Sequence, residues 1–228
     1  LLLCLSPNYI AGKMMIVRAL LAGANLLVVK PSSSPLKEIN RSVDFAAMVP
    51  MQVQESLSDS VTRNKISYIK QLIIGGAAVS STLESALSAF PIRCFSTYGM
   101  TETVSHIALR ELNTAYSGYK ALGNITFLQD DRGCLCIHAP HLSNTFFITN
   151  DIVWLSGKTS FEWLGRFDNV INSGGVKLFP EEIEKKISEL IPDKRFYVTG
   201  VLDERLGEKA VLIIEDQNWT QEKIASFM

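Results

Sequence analysis

Short apolar runs alternate regularly with helical patterns over residues 1–96. The runs that we predict as strands lie at residues 1–5, 26–29, 45–48, 69–74 and 92–95. The segments between them carry helical spacing or helix-starting residues and are predicted as helices at residues 7–22, 34–43, 50–57 and 81–90. This alternation favours an α/β fold built on a doubly wound, mainly parallel sheet.

Details within this region give further expectations. Residues 26–29 are wholly apolar, so we expect a strand that is buried on both faces. Residues 59–65 are polar and are predicted as a loop, whereas Ser81 and Glu84 form the pattern of a capping box. Beyond about Leu109, glycines and aspartates separate short strand-like runs, which predicts a small antiparallel β region with hairpins.

A third region starts with a helix at Pro180, where two acids in the first turn suit the helix dipole. Its end is predicted at Pro192, and its buried stripe at Ile183, Ile187 and Leu190. The other predicted elements are strands at residues 195–202 and 209–215 and a helix that begins at Thr220. This region is the expected start of a small α+β C-terminal domain.

Composition excludes several classes of protein. Of 228 residues 47% are apolar and 20% charged, which supports a buried core rather than a disordered chain. The net charge is −1 with Lys and Arg spread along the chain, so no basic patch suggests a nucleic acid partner. The apolar run from Met14 to Val29 carries Arg18 and a glycine break, so we expect no membrane span. Whether the protein forms a homo-oligomer stays open.

Four cysteines, Cys4, Cys94, Cys134 and Cys136, fit neither a disulfide framework nor a zinc spacing, which favours a cytoplasmic location. Cys134, Cys136 and His138 alternate along one run and allow two interpretations. They lie on one face of a strand, or they ligate a metal. We favour the strand, because a compact metal site normally recruits a second ligand cluster.

Residues 96–103, Ser-Thr-Tyr-Gly-Met-Thr-Glu-Thr, directly follow the last strand of the parallel series. Ligands usually bind at the carboxyl ends of strands in such a sheet. Backbone amides and threonine hydroxyls can receive a phosphate there, Tyr98 offers a flat face, and Glu102 can hold Mg²⁺. Taken alone, the pattern is explained better as a strand-to-helix turn with a capping threonine. Residues 103–109 fit either a helix or a strand.

Further motifs occur in one order along the chain: Gly75-Gly76-Ala77, residues 96–102, Thr149-Asn150-Asp151, residues 165–169, Ser173-Gly174-Gly175 and Pro180-Glu181-Glu182. With this order and spacing, the chain resembles the adenylate-forming acyl/aryl-CoA synthetase superfamily over most of its length. The resemblance implies an enzyme that activates a carboxylic acid with ATP and Mg²⁺ to an acyl-adenylate. The acyl group would then pass to the thiol of coenzyme A.

The resemblance also implies roles for single residues. Thr101 and Glu102 are the expected catalytic residues, since Thr101 would bind the α-phosphate and Glu102 would hold Mg²⁺. Tyr98 would stack on the adenine and Asp151 would accept the ribose hydroxyls, although Asn150 replaces the glycine that usually precedes this aspartate. The residues expected around the nucleotide are Gly75, Gly76, Ala77, Thr97, Tyr98, Gly99, Asp151 and Arg166.

The same resemblance implies a domain plan. Residues 1–167 would belong to a large adenylation domain, with an α/β part at 1–109 and a small β region at 110–167. Residues 168–228 would be a hinge at Asp168 and an incomplete C-terminal domain, in which Gly174 and Gly175 line the coenzyme A tunnel. The superfamily's phosphate loop and C-terminal catalytic lysine match nothing here. We therefore expect a central fragment that is poorly active alone.

Within the superfamily, the chain is similar to the branch that ligates 2-succinylbenzoate to coenzyme A in menaquinone biosynthesis. The residues that carry this likeness include Lys13, Arg18 and Ser105, which we expect to bind the acid. Arg18 is the favoured anchor for its second carboxylate. The alternatives are another adenylating enzyme, such as an aryl-acid or fatty-acid ligase or a carrier-protein loader, or a non-catalytic nucleotide-binding module.

Overall fold

The computed structural model describes residues 1–115, 118–191 and 194–215, which form two compact units. The first unit comprises Leu1–Thr149 and Val153–Trp163. The second comprises Asn150–Ile152 and the described residues from Leu164 onward. The helix end predicted at Pro192 and the helix start predicted at Thr220 lie outside the described residues.

Strands from the first hundred residues form the parallel part of the larger sheet: β1 (Leu2–Leu3), β2 (Leu27–Val28), β3 (Val43–Met48), β4 (Ile69–Ile74) and β5 (Arg93–Gly99). They lie side by side in the order β2-β1-β3-β4-β5, and each neighbouring pair is parallel. The helices between them are α1 (Ile10–Leu21), α2 (Pro50–Ser58), α3 (Ser60–Lys65) and α4 (Ser81–Leu87). The predicted α/β class with a mainly parallel sheet is confirmed.

Alternation along each strand divides the core between the two faces of this sheet. Leu3, Ala47 and Ile73 pack with Met15 of α1 on one face. The neighbouring positions in the strands, such as Leu2, Ala46 and Leu72, pack on the other face with Val53 of α2 and Leu83 of α4. Helices therefore cover both faces, as a doubly wound sheet requires.

Antiparallel strands continue the same sheet beyond β5. They are β6 (His106–Glu111), β7 (Tyr119–Ala121), β8 (Thr126–Gln129), β9 (Cys134–His138), β10 (Phe147–Gly157) and β11 (Ser160–Arg166). Over the described ranges the eleven strands follow the order β2-β1-β3-β4-β5-β6-β7-β11-β10-β9-β8. The predicted antiparallel region is thus present, and it extends the parallel sheet without a break.

The second unit contains a smaller sheet and one described helix, α5 (Pro180–Leu190). Its strands are β12 (Ile171–Ser173), β13 (Val176–Leu178), β14 (Phe196–Asp203) and β15 (Gly207–Ile214). They are antiparallel in the order β13-β12-β15-β14. This arrangement is the α+β region that the sequence predicts.

Several local expectations were wrong. The strand at residues 26–29 is not buried on both faces, because β2 is the edge of the sheet and Val28 is 63% exposed. The predicted loop at 59–65 is helix α3, whose first turn is capped by Asp59 Oδ1, which accepts from the Val61 amide at 2.8 Å.

The other differences concern helix ends. The helix predicted over residues 34–43 is a 3₁₀ turn at Pro35–Glu38, because β3 already begins at Val43. Helix α4 is capped by Ser80, whose Oγ accepts from the Leu83 amide, rather than by Ser81. Ile183 and Ile187 of the predicted buried stripe are only half-buried, and Leu190, the last residue of α5, is 61% exposed.

Cys134, Cys136 and His138 all lie in β9, and both thiols are buried. The strand interpretation of this run is therefore confirmed. In the part of the chain that the structure describes, no helix is long and apolar enough to cross a bilayer.

Candidate active site

Two glycines bring the ends of β4 and β5 close together. A Cβ on Gly75, directly after β4, would run into Oγ1 of Thr97 in β5. Gly76 has a φ of +85°, a conformation that residues with a Cβ rarely adopt. Gly76 and Ala77 are exposed, so the backbone after β4 is open to a ligand.

The loop from β5 to β6 is short and tightly held. A Cβ on Gly99 would lie 2.6 Å from the His106 Cα, so only glycine lets the two strands approach this closely. Thr101–Thr103 form a 3₁₀ turn, and Thr103 Oγ1 accepts from the Met100 amide at 3.0 Å. Of the two conformations left open for residues 103–109, the extended one is correct from His106 onward, and a single 3₁₀ turn rather than an α-helix follows β5.

Val104 closes this loop in a strained conformation. Its φ is +65° and its ψ −51°, and the Ser105 amide donates to the Thr103 carbonyl at 2.7 Å. These values describe a γ-turn with positive φ, which is rare and strained, most of all for a β-branched residue. Such strain persists only where the surrounding structure enforces it, and it clusters at functional sites.

Thr101 and Glu102 present exposed side chains from the 3₁₀ turn. Among the described residues, no group of three or more His, Cys, Asp and Glu side chains could hold a metal ion by itself. Mg²⁺ that acts on nucleotides is usually held by one or two carboxylates together with phosphate oxygens. An exposed carboxylate beside an exposed hydroxyl fits that mode of binding.

Tyr98 is held by a cluster of aromatic rings. It meets Phe161 edge-on at a centroid distance of 5.1 Å and lies 5.7 Å from Tyr119, in the stacked and edge-to-face range. The ring is half-buried, so its orientation is determined before any ligand binds.

Arg18 reaches from α1 toward the start of β6. Its Nη2 lies 3.5 Å from His106 Nδ1, its Nη1 is 3.7 Å from Met15 Sδ, and its guanidinium lies over the Phe45 ring. No carboxylate among the described residues forms an ion pair with it. Burial lowers the pKa of Arg18, and burial together with the charge of Arg18 lowers the pKa of His106 to about 4. His106 is therefore neutral at pH 7.

An open cavity of about 760 Å³ lies beside this pair. Met14 of α1, the loop residues Thr103–Ser105 and His106 form part of its wall. Ser105 is half-buried, and its Oγ lies 3.5 Å from His106 Nδ1. Neither Arg18 nor Lys13 lines the cavity, but Arg18 adjoins it through its contact with His106, whereas the Lys13 side chain is exposed. Arg18 and Ser105 thus both lie beside His106 Nδ1.

The second unit holds a separate polar group. Arg166 Nη1 lies 3.3 Å from Asp151 Oδ1, and Arg166 Nη2 lies 3.3 Å from Asp168 Oδ2. Asn150 also donates to Asp168, at 3.3 Å. Although partial burial acts in the opposite direction, Asp151 and then Asp168 raise the pKa of Arg166. The Asp151 side chain is only 15% exposed. The three predicted residues Asp151, Arg166 and Asp168 thus form one network.

Glu181 of α5 contacts the segment of residues 165–169 that contains Arg166 and Asp168. Its Oε1 accepts from Asn169 Nδ2 at 2.7 Å and from the Arg166 amide at 3.4 Å. Its Oε2 is buried, has no hydrogen-bond partner among the described residues and fills the space that a Cβ on Gly165 would occupy. Gly174 and Gly175, with φ values of +57° and +83°, form the two-residue turn between β12 and β13. Their predicted place in a coenzyme A tunnel stays a prediction.

Sequence reasoning gave no site role to three residues that shape these groups: His106, Thr103 and Glu181. His106 had a usable signal, because an extended path after Thr103 makes it the first residue of a strand that returns beside β5. The contacts of Thr103 and Glu181 depend on turn geometry that no spacing in the sequence reveals.

Comparisons with known proteins show which family the chain belongs to. A sequence model described as AMP-binding enzyme matches residues 1–143. The chain is 26% identical to the 2-succinylbenzoate–CoA ligase of Escherichia coli (strain K12) over 99% of this chain and 53% of that protein. The same values hold for the 2-succinylbenzoate–CoA ligase of Salmonella typhimurium (strain LT2). The chain therefore spans about half the length of these curated relatives.

Among solved structures, an acyl-CoA synthetase (AMP-forming)/AMP-acid ligase II-like protein from Dyadobacter fermentans is 38% identical. The alignment covers 99% of this chain and 66% of that one, with a TM-score of 0.71. The family model covers more than half of the chain and includes the loop between β5 and β6. The chain accordingly belongs to the AMP-binding enzyme family.

Proposed function

We propose that the protein is an ATP-dependent acid–CoA ligase and that its acid is 2-succinylbenzoate, a precursor of menaquinone. The observation that carries this proposal is the similarity to 2-succinylbenzoate–CoA ligases along 99% of the chain. The co-substrates are then ATP and coenzyme A, and the metal is Mg²⁺. We place the reaction in the cytoplasm, where the four buried thiols stay reduced.

The proposed reaction has two steps. A carboxylate oxygen of the acid attacks the α-phosphorus of ATP, and the bond from that phosphorus to the bridging oxygen breaks, so pyrophosphate leaves. The sulfur of coenzyme A then attacks the acyl carbon, AMP leaves with the carbon–oxygen bond electrons, and the thiol proton passes to solvent. Neither step changes an oxidation state.

Residues of the first unit take the following roles. Tyr98 stacks on the adenine, and the open backbone of residues 75–77 lines the pocket beside it. The Thr101 hydroxyl donates to the α-phosphate, where negative charge increases as the bond forms. Glu102 would hold Mg²⁺, which would neutralise phosphate charge when bound. The exposed positions of Thr101 and Glu102 support both roles.

The residues of the second unit are assigned by the resemblance to the superfamily. Asp151 accepts the two ribose hydroxyls, and Arg166, paired with Asp151 and Asp168, supports the ribose and phosphate side. Asp168 is the hinge before the C-terminal region. Residues 1–167 are then part of the adenylation domain.

Arg18 supports the choice of acid. 2-Succinylbenzoate carries two carboxylates, of which one is activated and the other must be held without reacting. The Arg18 guanidinium is half-buried, contacts the cavity-lining His106 and has no carboxylate partner among the described residues, so it is suited to that second group. The planar guanidinium of an arginine can bind a carboxylate through two parallel hydrogen bonds.

An acid panel tests the function. The gene product that contains this chain is purified and assayed for pyrophosphate release with 2-succinylbenzoate, aryl acids and fatty acids, each with and without coenzyme A. We expect 2-succinylbenzoate to give the largest kcat/KM and its CoA thioester as the product. A clear preference for another acid, or transfer of the acyl group only to a carrier protein, would contradict the proposed substrate. If no acid gave pyrophosphate release, the protein would be a nucleotide-binding module without ligase activity.

Substitution of Arg18 tests the anchor. Arg18→Ala should cost about 2–5 kcal/mol in kcat/KM for 2-succinylbenzoate, since a buried charge pair is lost. The matched acid without the unactivated carboxylate should lose far less. Arg63→Ala, on the exposed face of α3, is the control with the same charge change. Equal losses for both acids would exclude Arg18 as the anchor and make Lys13 the next residue to substitute.

A further inference from the structure

His106 contacts Arg18 with a neutral ring, where a carboxylate would form an ion pair with this half-buried cation. It is the first residue of β6, and its backbone is held against Gly99 of β5. Its ring lines the cavity together with Met14 and Ser105. The side chain is therefore placed by the sheet itself and not by a loose loop.

The contact with Arg18 determines which ring nitrogen carries the proton. A guanidinium can only donate, so Nδ1 of His106, 3.5 Å from Arg18 Nη2, is the acceptor in this contact, and the Ser105 hydroxyl at the same distance can also donate to it. A neutral imidazole that accepts at Nδ1 carries its hydrogen on Nε2. The structure thus implies one tautomer for His106.

Because His106 is a neutral acceptor, it leaves the positive charge of Arg18 uncompensated. An Asp or Glu beside Arg18 would neutralise the guanidinium and compete with an anionic ligand for it. His106 orients the guanidinium while its positive charge stays available to the ligand.

We propose that His106 is a positioning residue that fixes the Arg18 guanidinium for the second carboxylate of a dicarboxylic acid. This inference rests on the proposed function, since it concerns how that site selects its acid. It predicts that selection for a second anionic group depends on an acceptor at position 106 as well as on the arginine.

The test uses the gene product that contains this chain and compares 2-succinylbenzoate with the matched acid that lacks the unactivated carboxylate. His106→Leu removes the acceptor, and His106→Gln keeps one. We expect His106→Leu to raise KM for the dicarboxylate about tenfold or more, as for loss of a hydrogen bond to a charged group, with a much smaller change in kcat. His106→Gln should recover most of that loss, and the matched acid should be affected much less.

A double-variant cycle separates positioning from a general packing role. With Arg18→Ala already present, His106→Leu should add almost nothing to the loss for the dicarboxylate. Additive losses, or equal losses for the two acids, would overturn the proposal. Either result leaves the ligase activity of the unsubstituted protein, and so the proposed function, intact.

A spectroscopic measurement keeps the inference testable if no acid is turned over. In ¹⁵N-labelled protein the His106 ring should show a proton on Nε2 and a free Nδ1 acceptor at pH 7, assigned with the His106→Gln variant. Arg18→Ala should convert it to a mixture of tautomers. A mixture in the unsubstituted protein would overturn the inference, whatever the enzyme assay shows.

Discussion

Two arginines of this protein, Arg18 and Arg166, differ in their chemistry because they have different neighbours. Arg18 meets a neutral ring instead of a carboxylate, so its charge stays available within the first unit. Arg166 in the second unit differs, since Asp151 and Asp168 both lie 3.3 Å from it. The first cation is suited to bind an anion, and the second to orient the carboxylates that it holds.

The proposed roles of Asp151 and Glu102 predict different kinetic defects. Asp151→Ala should raise KM for ATP with a smaller effect on kcat, because ribose contacts are present in both the ground state and the transition state. Glu102→Gln should lower kcat by about 10²–10³ and raise the Mg²⁺ requirement, as for loss of a contact that strengthens in the transition state. Steady-state kinetics at varied ATP and Mg²⁺ measure both. Indistinguishable profiles for the two variants would contradict the assignment.

Sequence reasoning named candidate site residues but not the side chains that contact them. The motif order is a property of the chain, and so Glu102, Tyr98 and Asp151 could be named from it. Arg18 and His106 are far apart in the sequence and meet only because α1 covers the face of the sheet from which β6 starts. Lys13, named beside Arg18, is exposed since it lies on another side of the helix.

At the scale of elements, a partly buried ion pair joins strand β6, which follows the site loop, to helix α4. Arg110 of β6 donates to both carboxylate oxygens of Glu84 in α4, at 2.9 and 3.1 Å. The two side chains are 15% and 24% exposed. Glu84 also accepts from the Asn113 amide just after β6, which makes this contact a clamp between helix and strand.

Removing one partner of the Arg110–Glu84 ion pair should destabilise the fold more than replacing both partners with uncharged residues. Arg110→Ala leaves a partly buried carboxylate unpaired and should cost about 2 kcal/mol, less than the loss for full burial. The double variant Glu84→Gln with Arg110→Met should lose less than this, measured by urea unfolding. Arg93→Ala, which breaks the exposed pair with Glu111, is the control and should cost at most about 1 kcal/mol. A double variant that is less stable than Arg110→Ala would contradict this account.

Elements were predicted best where the apolar pattern alone decides them. Strands β3 and β4 and helix α2 lie close to their predicted positions because long-range packing and local pattern agree there, whereas β5 continues to Gly99, four residues beyond its predicted end. Helix α3 was missed since its polar sequence folds only with the Asp59 cap. The edge position of β2 depends on strand order, which a single run of apolar residues does not encode.

At the scale of the whole molecule, ligand binding should be visible as stability. A ligand that binds only the folded state stabilises it by about 2.7 kcal/mol at a hundred times its Kd. MgATP should therefore raise the unfolding midpoint of the protein in a concentration-dependent way, measured by thermal unfolding with Mg²⁺ alone as the control. The rise should shrink in Asp151→Ala. No shift at millimolar MgATP would count against nucleotide binding.

The position of β5 between a parallel and an antiparallel neighbour also bears on how the chain assembles. In the parallel pairs the facing residues are distant in the sequence, as Val43 opposite Ile69, whereas Tyr98 faces Ala108 across the site loop. Closing a short loop loses less chain entropy than closing a long one, so local pairings form at higher rates. The hairpin of β5 and β6 is thus among the quickest contacts available to this sheet. The loop proposed to bind phosphate would then be shaped early, and the slower parallel strands would add to it.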